Sequence, residues 1–187
     1  MKAVLVNGSH RTAGNTAVLL AVMGKELSAR GARTETVSLA RLDIGHCRAC
    51  DRCRGKSACI VKDDFNALLR KILAADTLIL GSPVYAGMPS SRMTAFLQRL
   101  AYLAINNGHL LKNKVGGAVV VAGEAGHLTA LNSLIDFFLV NEMIVPGSRY
   151  WPVGTATDKG NVAKDVSALE NIRHLAGNIA ALGDDKQ

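Results

Sequence analysis

The sequence predicts a doubly wound α/β domain, a parallel sheet of five strands with helices on both faces. Three observations predict it. Short apolar runs alternate with longer amphipathic segments along the chain, the signature of repeated βα units. Lys2–Val6, Thr77–Leu80 and Lys114–Ala122 are nearly continuous apolar runs, as strands covered on both faces require. Ala, Val, Leu and Gly are plentiful while aromatic residues make up only 4%, which suits helices on a sheet better than a sandwich. No repeat or linker interrupts the pattern, so residues 1–187 read as one domain, and 49% hydrophobic content is ample for its core.

Residues 2–7 read as the first strand. The helix at 15–30 places Ala17, Leu19, Leu20, Met23 and Leu27 inward and stops at Gly31. Thr34–Leu39 alternates and is partly β-branched, so it reads as the second strand. A polar insertion, residues 40–62, holds all four cysteines. Asp63 or Asp64 caps a helix reaching about Ala75, with Phe65, Leu68, Leu69 and Ile72 inward. Residues 77–82 form the third strand, and Ser90 or Ser91 caps a helix to about Asn106. Residues 114–122 form the fourth strand and 128–141 a helix. Met143–Val153 holds the fifth strand, and 162–182 the last helix.

The formal net charge is +7. There is no dense Lys/Arg run and no basic stripe interleaved with aromatics, so nucleic acid is not expected as a partner. The charge suits phosphorylated cofactors or acidic proteins. No apolar stretch reaches the roughly eighteen residues of a membrane span. The chain passes from one lysine straight into a strand, so no signal peptide is expected. A cytoplasmic protein is expected, and its clustered cysteines then read as metal ligands or redox groups rather than disulfides.

In a doubly wound sheet, ligands bind beyond the C-terminal strand ends. The loops there are Gly8–Asn15, Ala40–Lys62, Ser82–Ser90 and Gly123–His127. In the first, Ser9, Thr12, Asn15 and Thr16 supply hydroxyl or amide donors and Arg11 a planar cationic fork, while Gly8 and Gly14 let the backbone approach. With the amino end of the following helix they make a phosphate cradle. The alternative is an ordinary capped turn, with Asn15 or Thr16 as N-cap. The loop is neither a Rossmann glycine pattern nor a Walker loop.

Three of these loops together resemble the NAD(P)H-dependent FMN reductases of flavodoxin-like fold. Gly8–Thr16 is similar to that family's phosphate loop, and Ser82-Pro83-Val84-Tyr85 with Ser90 to the loop bordering the isoalloxazine ring. Gly123–Gly126 falls where the family's third flavin loop lies. The resemblance implies the strand order 2-1-3-4-5 and FMN as cofactor. Ser9, Arg11, Gly14, Asn15 and Thr16 would hold the phosphate. Pro83, Val84, Tyr85, Met88 and Ser90 would border the ring, with Gly123 beyond it. It further implies NAD(P)H as a co-substrate, a small acceptor such as a quinone, and a homodimer or homotetramer.

Cys47, Cys50 and Cys53 stand at C-x2-C-x2-C spacing, followed by five residues and Cys59. The first three copy the spacing of ferredoxin-type ligands. Zinc fits less well, because structural zinc sites separate their pairs more widely. A loop of reduced thiols is the remaining alternative, as in a cluster-free reductase or a thiol-based redox sensor or binding protein. Residues 43–62 carry five basic and two acidic groups, which would offset thiolate charge and also suit an acidic redox partner such as ferredoxin. Within the same superfamily the run resembles the iron-sulfur flavoproteins, which implies a [4Fe-4S] cluster on all four cysteines. No nucleophile–base constellation is found, so no protein residue is expected to act as acid or base, and the cofactor carries the chemistry. Asp63-Asp64 reads as a helix cap, and Tyr150-Trp151 as packing or a subunit contact. His109 and His127 read as ordinary polar residues.

Overall fold

The computed structural model describes residues 1–184. Its strands are β1 (Lys2–Asn7), β2 (Arg33–Ser38), β3 (Thr77–Tyr85), β4 (Met88–Pro89), β5 (Val115–Ala122) and β6 (Val153–Thr155). Its helices are α1 (Asn15–Ala29), α2 (Phe65–Leu73), α3 (Ser91–Ile105), α4 (His127–Val140) and α5 (Val166–Asp184). The main sheet is parallel, in the order β2-β1-β3-β5-β6, and β4 pairs antiparallel with the end of β3. Leaving aside that two-residue strand, the order is the predicted one.

Side-chain alternation sorts each strand between two cores. Val4, Val6, Leu78, Leu80, Ala118 and Val120 pack with α2, α3 and α4, whereas Ala3, Leu5, Ile79, Val119 and Val121 pack with α1 and α5. Each fully buried Leu or Val stabilises the fold by roughly 1.5–3 kcal/mol relative to an exposed one. The apolar faces predicted for α1 and α2 are the buried ones, except that Ala17 is only partly buried. Among the described residues no helix is long and apolar enough to cross a membrane.

The predicted fifth strand is corrected. Ile144 makes a single bridge to Val115, and pairing resumes only at Val153 with Val120. The chain thus takes nine residues to pass five of β5. Pro146-Gly147 and Pro152 fall within this detour, and a proline cannot donate to a ladder. β3 errs the other way. It runs past Ser82, because Pro83 keeps register with Val121 although it lacks an N–H.

Of the two predicted cap residues, Asp64 takes the cap position of α2 but makes no side-chain cap bond. Asp63 Oδ1 does accept from the Phe65 N–H (3.1 Å), but its main partner is Arg99 of α3, only 2% exposed. The guanidinium donates to Asp63 Oδ2 (2.5 Å) and Oδ1 (3.0 Å) and to the Gly45 carbonyl (3.2 Å), and stacks 4.3 Å from the Phe65 ring centroid. Burial alone would raise the Asp63 carboxyl. The Arg99 hydrogen bonds and the amides of Gly45 and Phe65 outweigh it and hold the group below the ordinary carboxylate value. The pair thereby fastens both ends of the cysteine insertion to α3.

Removing one partner of a buried pair strands the other, at a cost of about 3–5 kcal/mol. Asp63→Ala should lose that much in denaturant unfolding, and adding Arg99→Met should recover part of it. Because the folded-state pKa of Asp63 is depressed, its stabilisation is present above the unfolded value of about 3.9 and lost as pH falls below it. Asp63→Asn should remove this acid-dependent component from a stability-versus-pH series.

Candidate flavin and cysteine sites

The first loop is built by short hydrogen bonds from β1. The Gly8 amide continues the sheet by donating to the Gly81 carbonyl (2.8 Å). The buried Asn7 Oδ1 accepts from the Ser9 amide (2.9 Å), and Ser9 Oγ accepts from the Arg11 amide (3.0 Å). The N-cap of α1 is Gly14, with extended backbone and no side-chain cap bond. Neither Asn15 nor Thr16 caps the helix, so its first-turn amides face outward with their partial positive charge. Asn15 turns its side chain to the segment after β6 instead. Its Nδ2 donates to the carbonyls of Asp158 (2.9 Å) and Ala156 (3.3 Å), and its Oδ1 accepts from the amides of Gly160 (2.7 Å) and Val162 (3.4 Å).

The second loop is a hairpin. Ala86 and Gly87, at φ 49° and 78°, turn β3 back into β4, the two-residue geometry that demands left-handed backbone. Ser90 is fully buried; its amide donates to Ser82 Oγ (2.9 Å) and its hydroxyl to the Gly8 carbonyl (2.6 Å) while accepting from the Met93 amide at the start of α3 (3.2 Å). The third loop closes against this hairpin. Gly126 is left-handed (φ 87°), and a Cβ there would lie 2.8 Å from Gly87 Cα. His127 Nε2 meets the Gly154 carbonyl (3.1 Å) and Thr155 Oγ1 (3.2 Å).

These loops enclose a cavity of about 200 Å3 at the C-terminal strand ends. Ser9, Arg11, Gly14, Asn15, Thr16, Pro83, Val84, Tyr85 and Gly123 line it. Ser90 is not on its wall and serves as the buried link just described. Met88 lies in a larger apolar cleft, about 440 Å3, between α3 and α4. The smaller cavity is the one with convergent polar groups at the switch point, which marks a binding site better than volume does. Tyr85 stands half exposed at its rim, its ring 6.0 Å from that of His10. The sequence reasoning missed Val121, Ala122, Ala156, Thr157 and Lys159, which complete the lining. Gly154–Gly160 has the small, polar, glycine-flanked composition of the first loop, but the misplaced fifth strand hid it as a strand-end loop. The cavity fits the two ends of FMN: an uncapped helix terminus with buried Ser9 and Thr16 for a phosphate, and apolar walls beneath an aromatic rim for a ring.

The four cysteines, none in a disulfide, line one small enclosed cavity together with Arg99 and Tyr102. Side chains of α2 and of the turn after α3 hold the loop. Asn107 Nδ2 donates to the Cys53 carbonyl (3.0 Å), and Asn66 bonds both the amide and the carbonyl of Cys59 (2.8 Å each). The Tyr102 hydroxyl donates to Asp51, and this bond, joined by Arg54, holds the Asp51 carboxyl below its usual range. Ala49 and Asp51 flank Cys50 in left-handed backbone, φ 46° and 56°. Such conformations are uncommon away from glycine and collect at functional sites. Burial pushes the Cys53 thiol up, and Cys59, Cys47 and Cys50 add to the shift. Among the described residues no set of three or more side chains is arranged to hold a metal ion. By chemistry the donor set still fits an iron-sulfur cluster, with four sulfurs on one cavity and a buried cation, Arg99, whose Nε has no hydrogen-bond partner.

Comparison with known proteins bears on the family and the fold. An iron-sulfur flavoprotein of Methanocaldococcus jannaschii is 35% identical over 187 residues, 96% of either chain. A structure of RosB with bound 8-demethyl-8-formylriboflavin-5'-phosphate superposes with a TM-score of 0.82 at 24% identity, covering 99% of this chain and 79% of the other. A flavodoxin, WrbA-like protein from Agrobacterium tumefaciens gives 0.69 at 16% identity over 100% and 99% of the two chains, which shows the fold to be flavodoxin-like. The family model described as NADPH-dependent FMN reductase matches residues 1–158, and the chain belongs to that family.

Proposed function

We propose that this chain is an FMN-dependent oxidoreductase whose cysteine loop carries a [4Fe-4S] cluster exchanging electrons with the flavin. One observation carries the flavin reading: a single cavity at the strand ends gathers nine of the residues named from sequence around the bare amino end of α1. FMN, when bound, supplies one- and two-electron redox chemistry. The chain binds and orients. Ser9, Thr16 and the first amides of α1 hold the phosphate with Arg11, while Pro83, Val84 and Tyr85 fix the ring. The Ser90 and Gly126 contacts keep the second loop against the first and third.

A [4Fe-4S] cluster supplies one-electron transfer. Cys47, Cys50, Cys53 and Cys59 would ligate it, and Arg99 would offset its negative charge. NAD(P)H or a reduced ferredoxin-type protein serves as donor, a quinone or similar small molecule as acceptor, and the working unit is a homo-oligomer. A cluster-free NAD(P)H:quinone or FMN reductase is the second reading, favoured by the exposed Cys50 and by the absence of a preformed metal set among the described residues.

Two measurements separate the readings. Protein purified anaerobically and reconstituted with iron and sulfide should hold about four irons per chain, and Cys53→Ser should lose most of them without changing FMN uptake. Equal iron in the variant favours the cluster-free reading. Anaerobic NAD(P)H or reduced ferredoxin should bleach the bound flavin, and protein that takes up no FMN removes both readings.

A further inference from the structure

Lys159 lines the flavin cavity from the segment after β6, far in sequence from the first loop. Among the described residues neither Lys159 nor Arg11 makes an ion pair. The nearby carboxylates are committed elsewhere. Asp158 Oδ2 accepts from Asn161 (3.2 Å), and Asp165 accepts from the amides of Thr155 and Ala168 (3.0 Å each). The segment that bears Lys159 is held by one side chain. Asn15, at the first turn of α1, makes its bonds to residues 156, 158, 160 and 162 with both ends of its amide. The left-handed Gly160 (φ 86°) brings the backbone round to meet it. A residue expected to bind phosphate by its side chain is therefore spent on bringing a distant loop to the same helix terminus.

We infer that residues 156–162 form a strap, pinned by Asn15, that delivers Lys159 as a second cation to the phosphate of the bound flavin. This rests on the flavin reading above. A helix terminus with Arg11 alone would serve a monoanion nearly as well, whereas a second cation from the opposite side favours a dianionic phosphomonoester and discriminates against flavins that lack it. The strap also couples the two ends of the domain, because a bound phosphate draws on both α1 and the segment leading into α5.

The test is flavin binding followed by fluorescence quenching, with FMN and riboflavin as probes. Lys159→Met should weaken FMN about tenfold, the scale of one charge-assisted hydrogen bond, and leave riboflavin unchanged. Lys164→Met, which removes the same charge from an exposed position on the adjacent turn, should alter neither. In an Asn15→Ala background Lys159→Met should have little further effect, because the strap no longer presents the lysine. An unchanged FMN affinity in Lys159→Met overturns the inference and leaves the flavin reading standing. Equal losses for FMN and riboflavin overturn it too, by placing Lys159 away from the phosphate. Independent, multiplying effects of the two substitutions overturn the role of Asn15. Wild-type protein that binds no FMN overturns the flavin reading, and this inference with it.

Discussion

The amino end of α1 is left without a side-chain cap, and the site is arranged around that deficiency. A helix start carries unsatisfied amides and about half a positive charge. Burying such an end without partners is costly, so it must meet solvent, a side chain or a ligand. Here Gly14 occupies the cap position, and the residue best suited to cap, Asn15, is turned away to bond residues 156–162. Ser9, itself ordered by Asn7, holds the loop open above the helix. The sheet then supplies the other walls, since β3 ends beside β1 and β5 beside β3 in a doubly wound order.

A different force holds the cysteine loop. It has almost no regular structure, and its backbone is strained at Ala49 and Asp51. It is held from outside by polar side chains of α2 (Asn66), α3 (Arg99 and Tyr102) and the turn after α3 (Asn107). The buried Arg99–Asp63 pair closes the base of the loop, and its net worth as an ion pair is small beside the cost of breaking it. Its value here is geometric: it fixes where residues 45–63 enter and leave, so the four sulfurs are confined to one cavity.

Local signals were legible in the sequence. The β1–loop–α1 unit could be read because a buried strand, small polar residues and an amphipathic helix follow within sixteen positions. The cysteine spacing could be read because its chemistry is local. What escaped depends on tertiary contact. The partner of Asp63 lies 36 positions away, so a carboxylate at a helix start reads as a cap. Asn15 finds its partners more than 140 positions on, so its amide reads as a phosphate donor. Pro83 hid the extension of β3, and the apolar residues flanking Pro146-Gly147 disguised a detour as a strand. Both errors fell at the strand ends, where the sheet gives way to the site, and the second concealed the loop that carries Lys159.

On the proposed flavin reading, the bare terminus of α1 holds a phosphate dianion. The most direct measurement is the 31P NMR of FMN bound to the protein across a pH series. A free phosphomonoester titrates near about pH 6. The cradle predicts a bound resonance displaced from that of free FMN and unmoving between about pH 5 and 7, because the amides and cations hold the dianion against protonation. A bound flavin whose phosphorus titrates like that of free FMN would show the phosphate lying in water, and would contradict the account.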